Sequence, residues 1–251
     1  MTYCLGMLLD AGLIMIADTR TNAGVDDISS FRKLHCLVDA PDRCIYAASA
    51  GNLSTAQTVI SLLRQGVPTG EDEGLMRTIA EPASMFRAAQ LVGEAMQLAN
   101  ATVGKALASI KISGSSSILL GGRIGDGPPA LFLIYSAGNF IECKPDKPFF
   151  QIGETKYGKP MLDRSIRPGT PLGEAMKIGF LSFDAAMRSN LAVGRPLDLM
   201  VMPAAPGSKV LPLRVPIDDA YFDGLSRQWD ELLATAAASI EDPPFMAGLA
   251  G

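Results

Sequence analysis

The sequence predicts an α+β fold in which two antiparallel sheets stack face to face and each is covered by helices on its outer side, a four-layer αββα sandwich. Three observations point there. The elements come as a block of strands, two helices, a second block of strands and two more helices, not as the strict strand–helix alternation of a doubly wound sheet. The strand candidates are continuous apolar runs, which suits sheets buried on both faces. The scale also fits: 251 residues, 48 % apolar and 19 % charged, can bury one large core.

Residues 2–9 are an apolar, strand-like run, Asp10-Ala11-Gly12 reads as a tight turn and residues 13–18 as a second strand, so the chain opens on a hairpin. Residues 31–38 and 43–48 are further strands around a turn at Pro41-Asp42. A helix is expected over 54–65, where Ala56, Val59, Ile60 and Leu63 recur at helical spacing and Gly66 is a natural stop. The Gly-rich stretch 66–74 reads as a loop. A second helix, 82–107, repeats the pattern with Met85, Ala89, Val92, Met96 and Ala99.

Strands at 115–120, 130–135 and 140–143 follow, then helices over 156–164 and 171–190, the latter with Thr170 as N-cap and Pro171 at the first helical position. Late strands fall at 197–202 and 210–215, and a last helix at 219–240. The whole chain, 1–251, reads as one domain, with 216–251 as a C-terminal helical extension and tail.

The formal net charge is −4 and no Lys/Arg cluster is present, which argues against a nucleic-acid partner. No run of about 18 apolar residues suggests a membrane span, and no basic segment precedes an apolar stretch at the start. Cys4, Cys36, Cys44 and Cys143 form no CxxC pair and are expected to be reduced and buried, as in a cytoplasmic protein. With His35 as the single histidine, neither zinc nor any other cofactor is expected. The glycines from Gly121 to Gly127 superficially resemble a nucleotide loop, but Pro128-Pro129 follows where a helix would be needed, so a hairpin connection is expected.

The N-terminus carries the chemistry. Methionine aminopeptidase removes Met1 when the next residue is small, and Thr2 qualifies. An unperturbed hydroxyl is a weak nucleophile that needs a base. The freed α-amine, which ordinarily titrates at about 7.7–8.0, can be that base. If Ala11 centres the turn, Cys4 faces Asp18 and Thr2 faces Arg20, so that Thr2, Cys4, Asp18 and Arg20 share one face. Lys33, on the next strand, could supply an ammonium that lowers the hydroxyl pKa, with Asp18 keeping it charged. Each residue also has a structural reading: Asp18–Lys33 as a buried ion pair without catalysis, Arg20 as a strand-end charge, Cys4 as a core cysteine and His35 as a structural residue that shares the Lys33 face and is at most a neighbour of the site.

Thr2, Ile16-Ala17-Asp18-Thr19-Arg20, Lys33-Leu34 and Ala48-Ser49-Ala50-Gly51, then Ile118-Leu119-Leu120-Gly121-Gly122, Ala137-Gly138 and Gln151-Ile152-Gly153, resemble the proteasome β-subunit and HslV family of N-terminal-nucleophile (Ntn) hydrolases in order and spacing. The resemblance covers about residues 2–215. Within that family, residues 151–160 and the long C-terminal extension are most similar to the bacterial Anbu branch. The resemblance implies the Ntn-hydrolase fold, Thr2 as nucleophile and base, Asp18 and Lys33 as tuning residues and the Gly51 N–H as oxyanion donor. Ser49, Leu53 and Asn22 would contact substrate, with Arg20, Glu154 and Asn190 in support.

Two positions depart from the family pattern. Glu154 stands where a serine usually follows the glycine, and Asn190-Leu191-Ala192-Val193-Gly194 replaces an Asp-x-x-Ser-Gly turn. Glu154 could then be a substitute partner for the Thr2 amine. The implied activity is cleavage of peptide or related amide bonds through an acyl-enzyme, in a homo-oligomeric ring or open spiral, without a cofactor. A non-catalytic scaffold of the same fold and a small-molecule Ntn amidase are the alternatives. No docking motif for an ATPase partner is visible.

Overall fold

The computed structural model describes residues 2–22, 28–68 and 74–248, with the side chains of Asn22, Ile28, Ala247 and Gly248 outside the description. Met1 also lies outside the described residues. The chain forms two compact units, Met1–Ile217 and Asp218–Gly251. The first unit runs β1 (Tyr3–Leu9), β2 (Gly12–Asp18), β3 (Arg20–Asn22), β4 (Ile28–Ser30), β5 (Leu34–Ala40) and β6 (Arg43–Gly51). Then come α1 (Leu53–Gln65), β7 (Val67–Pro68), β8 (Met76–Arg77), α2 (Met85–Ala99), a π-helical turn (Asn100–Gly104) and α3 (Lys105–Ser109). The second half holds β9 (Ser116–Ile124), β10 (Ala130–Ile134), β11 (Phe140–Glu142), β12 (Phe149–Gly153), α4 (Lys159–Ser165), α5 (Leu172–Ser189), β13 (Leu197–Pro203) and β14 (Leu211–Val215).

Two five-stranded antiparallel sheets result, ordered β12-β1-β2-β13-β14 and β11-β10-β9-β6-β5. Their inner faces share one apolar layer, in which Cys4, Leu13, Met15 and Ala17 meet Tyr46, Ala48, Leu119, Leu131 and Leu133. On the far side of the second sheet, Val59, Ile60 and Leu63 of α1 and Ala88, Val92 and Met96 of α2 pack on Ile45, Ala47, Ile118 and Leu120. On the far side of the first sheet, α5 lays Gly179 over Ile16 and Met7, and Phe183 over Tyr3 with ring centroids 4.3 Å apart. The four-layer αββα sandwich is therefore the observed architecture. All seven residues of β2 are buried, as expected of an apolar strand between two layers.

Local signals placed most elements. The Asn52 side chain caps α1 by accepting the Thr55 N–H at 3.2 Å, and Gly66, at φ +127°, ends it. Five expectations change. The 31–38 strand begins only at Leu34, because the Phe31 N–H donates to Thr19 O at 2.9 Å and residues 28–30 pair with β3 instead. The second helix starts at Met85, where Ser84 caps it. Gly121 and Gly122 lie inside β9: a Cβ on Gly121 would sit 2.6 Å from Met15 Sδ and 2.8 Å from Leu13 Cδ2, so glycine there permits the close approach of the two sheets. Thr170 does not cap α5. Its hydroxyl accepts the Arg167 N–H at 2.9 Å and closes the preceding turn, and the helix begins at Leu172. Cys36 is exposed, whereas Cys4 and Cys143 are buried; all four thiols are free.

The second unit holds α6 (Ala220–Ala238), capped by Asp219 Oδ1 accepting the Phe222 N–H at 2.7 Å, and a 3₁₀ turn at Pro244–Gly248. Among the described residues no helix is long and apolar enough to cross a membrane, and no group of three His, Cys, Asp or Glu side chains could hold a metal ion.

Candidate active site

Antiparallel pairing gathers the start of β1, the end of β2, the start of β13 and the end of β12 at one end of the first sheet. The pairs Tyr3–Gly153 and Asp18–Leu197 mark this end. The hairpin register differs from expectation. Leu9 pairs with Gly12, so the turn holds only Asp10 and Ala11, and Cys4 faces Ala17 rather than Asp18. Two-residue loops match the strand twist better than a three-residue turn centred on Ala11. Thr2, Cys4, Asp18 and Arg20 therefore do not share a face, and the alternation argument fails by one residue.

Asp18 is nevertheless beside Thr2, by another route. Its Oδ1 accepts the Tyr3 N–H at 2.9 Å and the Lys33 ammonium at 2.8 Å. Lys33 lies one residue before β5, outside the ladder, and its Nζ also donates to Arg20 O at 2.6 Å. Both partners of the pair are buried, and Asp18 Oδ2 makes no hydrogen bond of normal geometry. Burial pushes the Asp18 carboxyl above its ordinary value, and Lys33 and the Tyr3 and Gly194 N–H groups offset part of that rise.

Thr2 is 9 % exposed, and its carbonyl accepts the Glu154 N–H at 2.6 Å. Gly153, at φ +82°, lies so close that a Cβ there would overlap the Thr2 carbonyl oxygen and come within 3.3 Å of Ala50 Cβ. The third wall is the end of β6. The Ser49 N–H donates to Lys33 O at 3.0 Å, and Ser49 O faces Cys4 Sγ at 3.5 Å. Gly51 takes φ +109° opposite Ser116, and Leu53 opens α1 two residues later. The Asn22 side chain lies outside the described residues.

The departures at 154 and 190 form one bridge. Glu154 Oε1 accepts the Lys156 and Tyr157 N–H groups at 2.6 and 3.3 Å, and Oε2 accepts from Asn190 Nδ2 at 3.1 Å. Burial opposes its ionisation, but these three donors win and hold the carboxyl below the usual glutamate range. Its carboxylate is thus committed to its own turn and to Asn190, and it is the backbone N–H that reaches Thr2. The 190–194 segment also wraps Arg20, whose guanidinium donates to Leu191 O at 3.0 Å and lies against Gly194.

A depressed folded-state pKa adds stability that is fully present above the unfolded value and is lost as pH falls through the folded one. Wild type is therefore expected to exceed Glu154→Gln by about 1–2 kcal/mol at neutral pH. Below the ordinary glutamate value of 4.5 the difference should close. Urea unfolding at pH 7 and pH 3 measures both.

Sequence reasoning missed Tyr3, Gln151, Ser182 and Gly194. A signal existed for two of them. Tyr3 sits in a fully apolar strand where a buried phenol needs a partner, and Ser182 interrupts the 175, 178, 179, 182, 183, 186 core face of α5.

Two helix-covered antiparallel sheets whose first strand starts from a threonine beside a buried lysine–aspartate pair make this a proteasome-like Ntn-type fold. Comparison with solved structures narrows the class. Over 96 % of this chain and 98 % of the other, it is 42 % identical, with a TM-score of 0.87, to Anbu from Pseudomonas aeruginosa, described as a helical assembly of the Anbu complex. Anbu (ancestral beta-subunit) from Yersinia bercovieri is 40 % identical over 96 % of this chain and 99 % of the other, with a TM-score of 0.85. Anbu from Hyphomicrobium sp. strain MC1 is 41 % identical over the same shares, with a TM-score of 0.83. The chain belongs to the Anbu family. No protein-family model matches it, and no curated protein does.

Proposed function

We propose that the chain is a threonine-type hydrolase of peptide or related amide bonds, working through Thr2 within a homo-oligomeric assembly. The observation that carries this reading is the buried ion pair: Lys33 Nζ lies 2.8 Å from Asp18 Oδ1, and the same oxygen holds the N–H of the residue that follows Thr2. Removal of Met1 frees the Thr2 α-amine. The amine takes the Oγ proton as Oγ attacks the amide carbonyl, and the Lys33 ammonium favours the developing alkoxide. The Gly51 N–H meets the oxyanion, a contact worth about 3 kcal/mol where it is aligned. The Thr2 ammonium then protonates the leaving amine, and water, deprotonated by the same amine, hydrolyses the ester.

In this reading Ser49, Leu53 and Asn22 line the substrate site, while Arg20, Glu154 and Asn190 hold its supporting loops. The helical assembly described for the Pseudomonas aeruginosa relative supports the homo-oligomer. A cytoplasmic setting fits four free thiols. One observation favours a non-catalytic assembly instead: Lys156, Tyr157 and Asn190 already donate three hydrogen bonds to the Glu154 carboxylate, which holds its own turn and Asn190 without a free amine.

Intact mass separates the two readings. Protein purified from cells should lack one methionine. A β-lactone probe should add its full mass at Thr2, because Oγ opens the ring at the carbonyl and its proton ends on the released alkoxide oxygen. Thr2→Ala should abolish the adduct. Retention of Met1 throughout the sample, or an adduct that survives Thr2→Ala, would sink the proposal.

A further inference from the structure

Thr2 precedes the first strand, so its position is set by what holds Tyr3. The Tyr3 ring lies on Phe183 of α5. Its hydroxyl accepts from Gln151 Nε2 at 2.6 Å and lies 2.6 Å from Ser182 Oγ, and Ser182 Oγ in turn donates to Gly158 O at 2.9 Å. These distances leave one way to place the hydrogens. Ser182 spends its only hydrogen on Gly158 O, so Tyr3 must donate to Ser182 and accept from Gln151. The chain of bonds runs in one direction from β12, through β1, into α5, and ends at the residue before α4. Tyr3 and Ser182 are fully buried, and both hydroxyl protons are used.

Gly158 is part of the device, since a Cβ there would overlap Ser182 Oγ and come 2.9 Å from the Tyr3 hydroxyl. The turn between Gly153 and α4 is thereby fastened at both ends: the Glu154 N–H to the Thr2 carbonyl, and the Gly158 carbonyl to Ser182. Between those fastenings lie the Tyr3 N–H on Asp18 and, through Asp18, the Lys33 ammonium.

We propose that the Gln151–Tyr3–Ser182–Gly158 chain is a positioning device that sets where the Thr2 nucleophile stands relative to the Asp18–Lys33 pair. The proposal rests on the reading of Thr2 as nucleophile. None of the four residues touches the reacting atoms. They act through the Tyr3 backbone, and a shift of about 1 Å in a nucleophile can cost on the order of a hundredfold in rate.

The test measures β-lactone labelling of Thr2 and reads the limiting rate constant separately from the half-saturating probe concentration. Tyr3→Phe and Ser182→Ala should each lower the limiting rate by about ten- to a hundredfold and leave the half-saturating concentration within about threefold. The double variant Tyr3→Phe/Ser182→Ala removes both hydroxyls, so its melting temperature should recover part of what either single change loses. Its labelling rate should not recover. Leu63→Ala, in the helix-covered core of the second sheet, serves as a destabilised control that labels at the wild-type rate.

Single variants that label as fast as wild type overturn the positioning role while Thr2 stands, and so does a double variant whose rate recovers together with its stability. If Tyr3→Phe fails to fold, Ser182→Ala carries the test. A wild-type protein, freed of Met1, that never labels at Thr2 overturns both readings.

Discussion

Lys33→Met is expected to abolish labelling of Thr2 and to lower stability by about 3–5 kcal/mol, the usual cost of stranding one partner of a buried ion pair. The argument is local. Asp18 is fully buried, Oδ2 has no partner of normal geometry, and Oδ1 would keep only the Tyr3 N–H. Burial is then opposed only by the Tyr3 and Gly194 N–H groups, and the carboxyl pKa rises further above the ordinary 3.8. A raised folded-state pKa disfavours the charged form, so the deficit of the variant should grow as pH climbs through the folded value and shrink toward acid. Urea unfolding from pH 4 to pH 8 checks the sign.

A second change makes the result decisive about role. Asp18→Asn added to Lys33→Met removes the stranded charge and should recover most of the stability. If the pair were only structural, labelling would return with it. If the ammonium activates Thr2, labelling stays absent in the refolded double variant.

Gly153→Ala has the next largest effect. The residue takes φ +82°, which costs an alanine about 1–3 kcal/mol. The added methyl would also overlap the Thr2 carbonyl oxygen and lie 2.8 Å from its carbon. The strand cannot yield freely, because that carbonyl is held by the Glu154 N–H and the next residue by Asp18. Thr2 should therefore move, with labelling slowed on the order of a hundredfold and a lower melting temperature. Alanine at 153 with wild-type labelling would contradict so close an approach of the two backbones.

The hairpin shows how near a sequence reading can come and still miss. Apolar runs on either side of Asp10-Ala11-Gly12 identified both strands, and the family resemblance named Asp18 and Lys33. The shared face was wrong because one residue of turn length reverses every side chain. Asp18 reaches Lys33 at the end of the strand, where Lys33 has not yet entered the ladder and its long side chain is free of the alternation. In the sequence the β12 strand shows only as a glycine-bearing motif. Five residues at the edge of a sheet carry too little periodicity to stand out.

What the sequence determined by itself is what depends on neighbours a few residues apart: the opening hairpin, the Gly66 stop, the buried faces of α1 and α2, and the order of blocks that makes a four-layer sandwich. Tertiary structure alone decided which partners the buried polar residues around Thr2 take. Glu154 meets Asn190 across 36 residues of chain, and Tyr3 meets Ser182 across 179. No local pattern specifies such pairs, because each forms only after both sheets and the covering helix have packed and left a buried polar group in need of a partner.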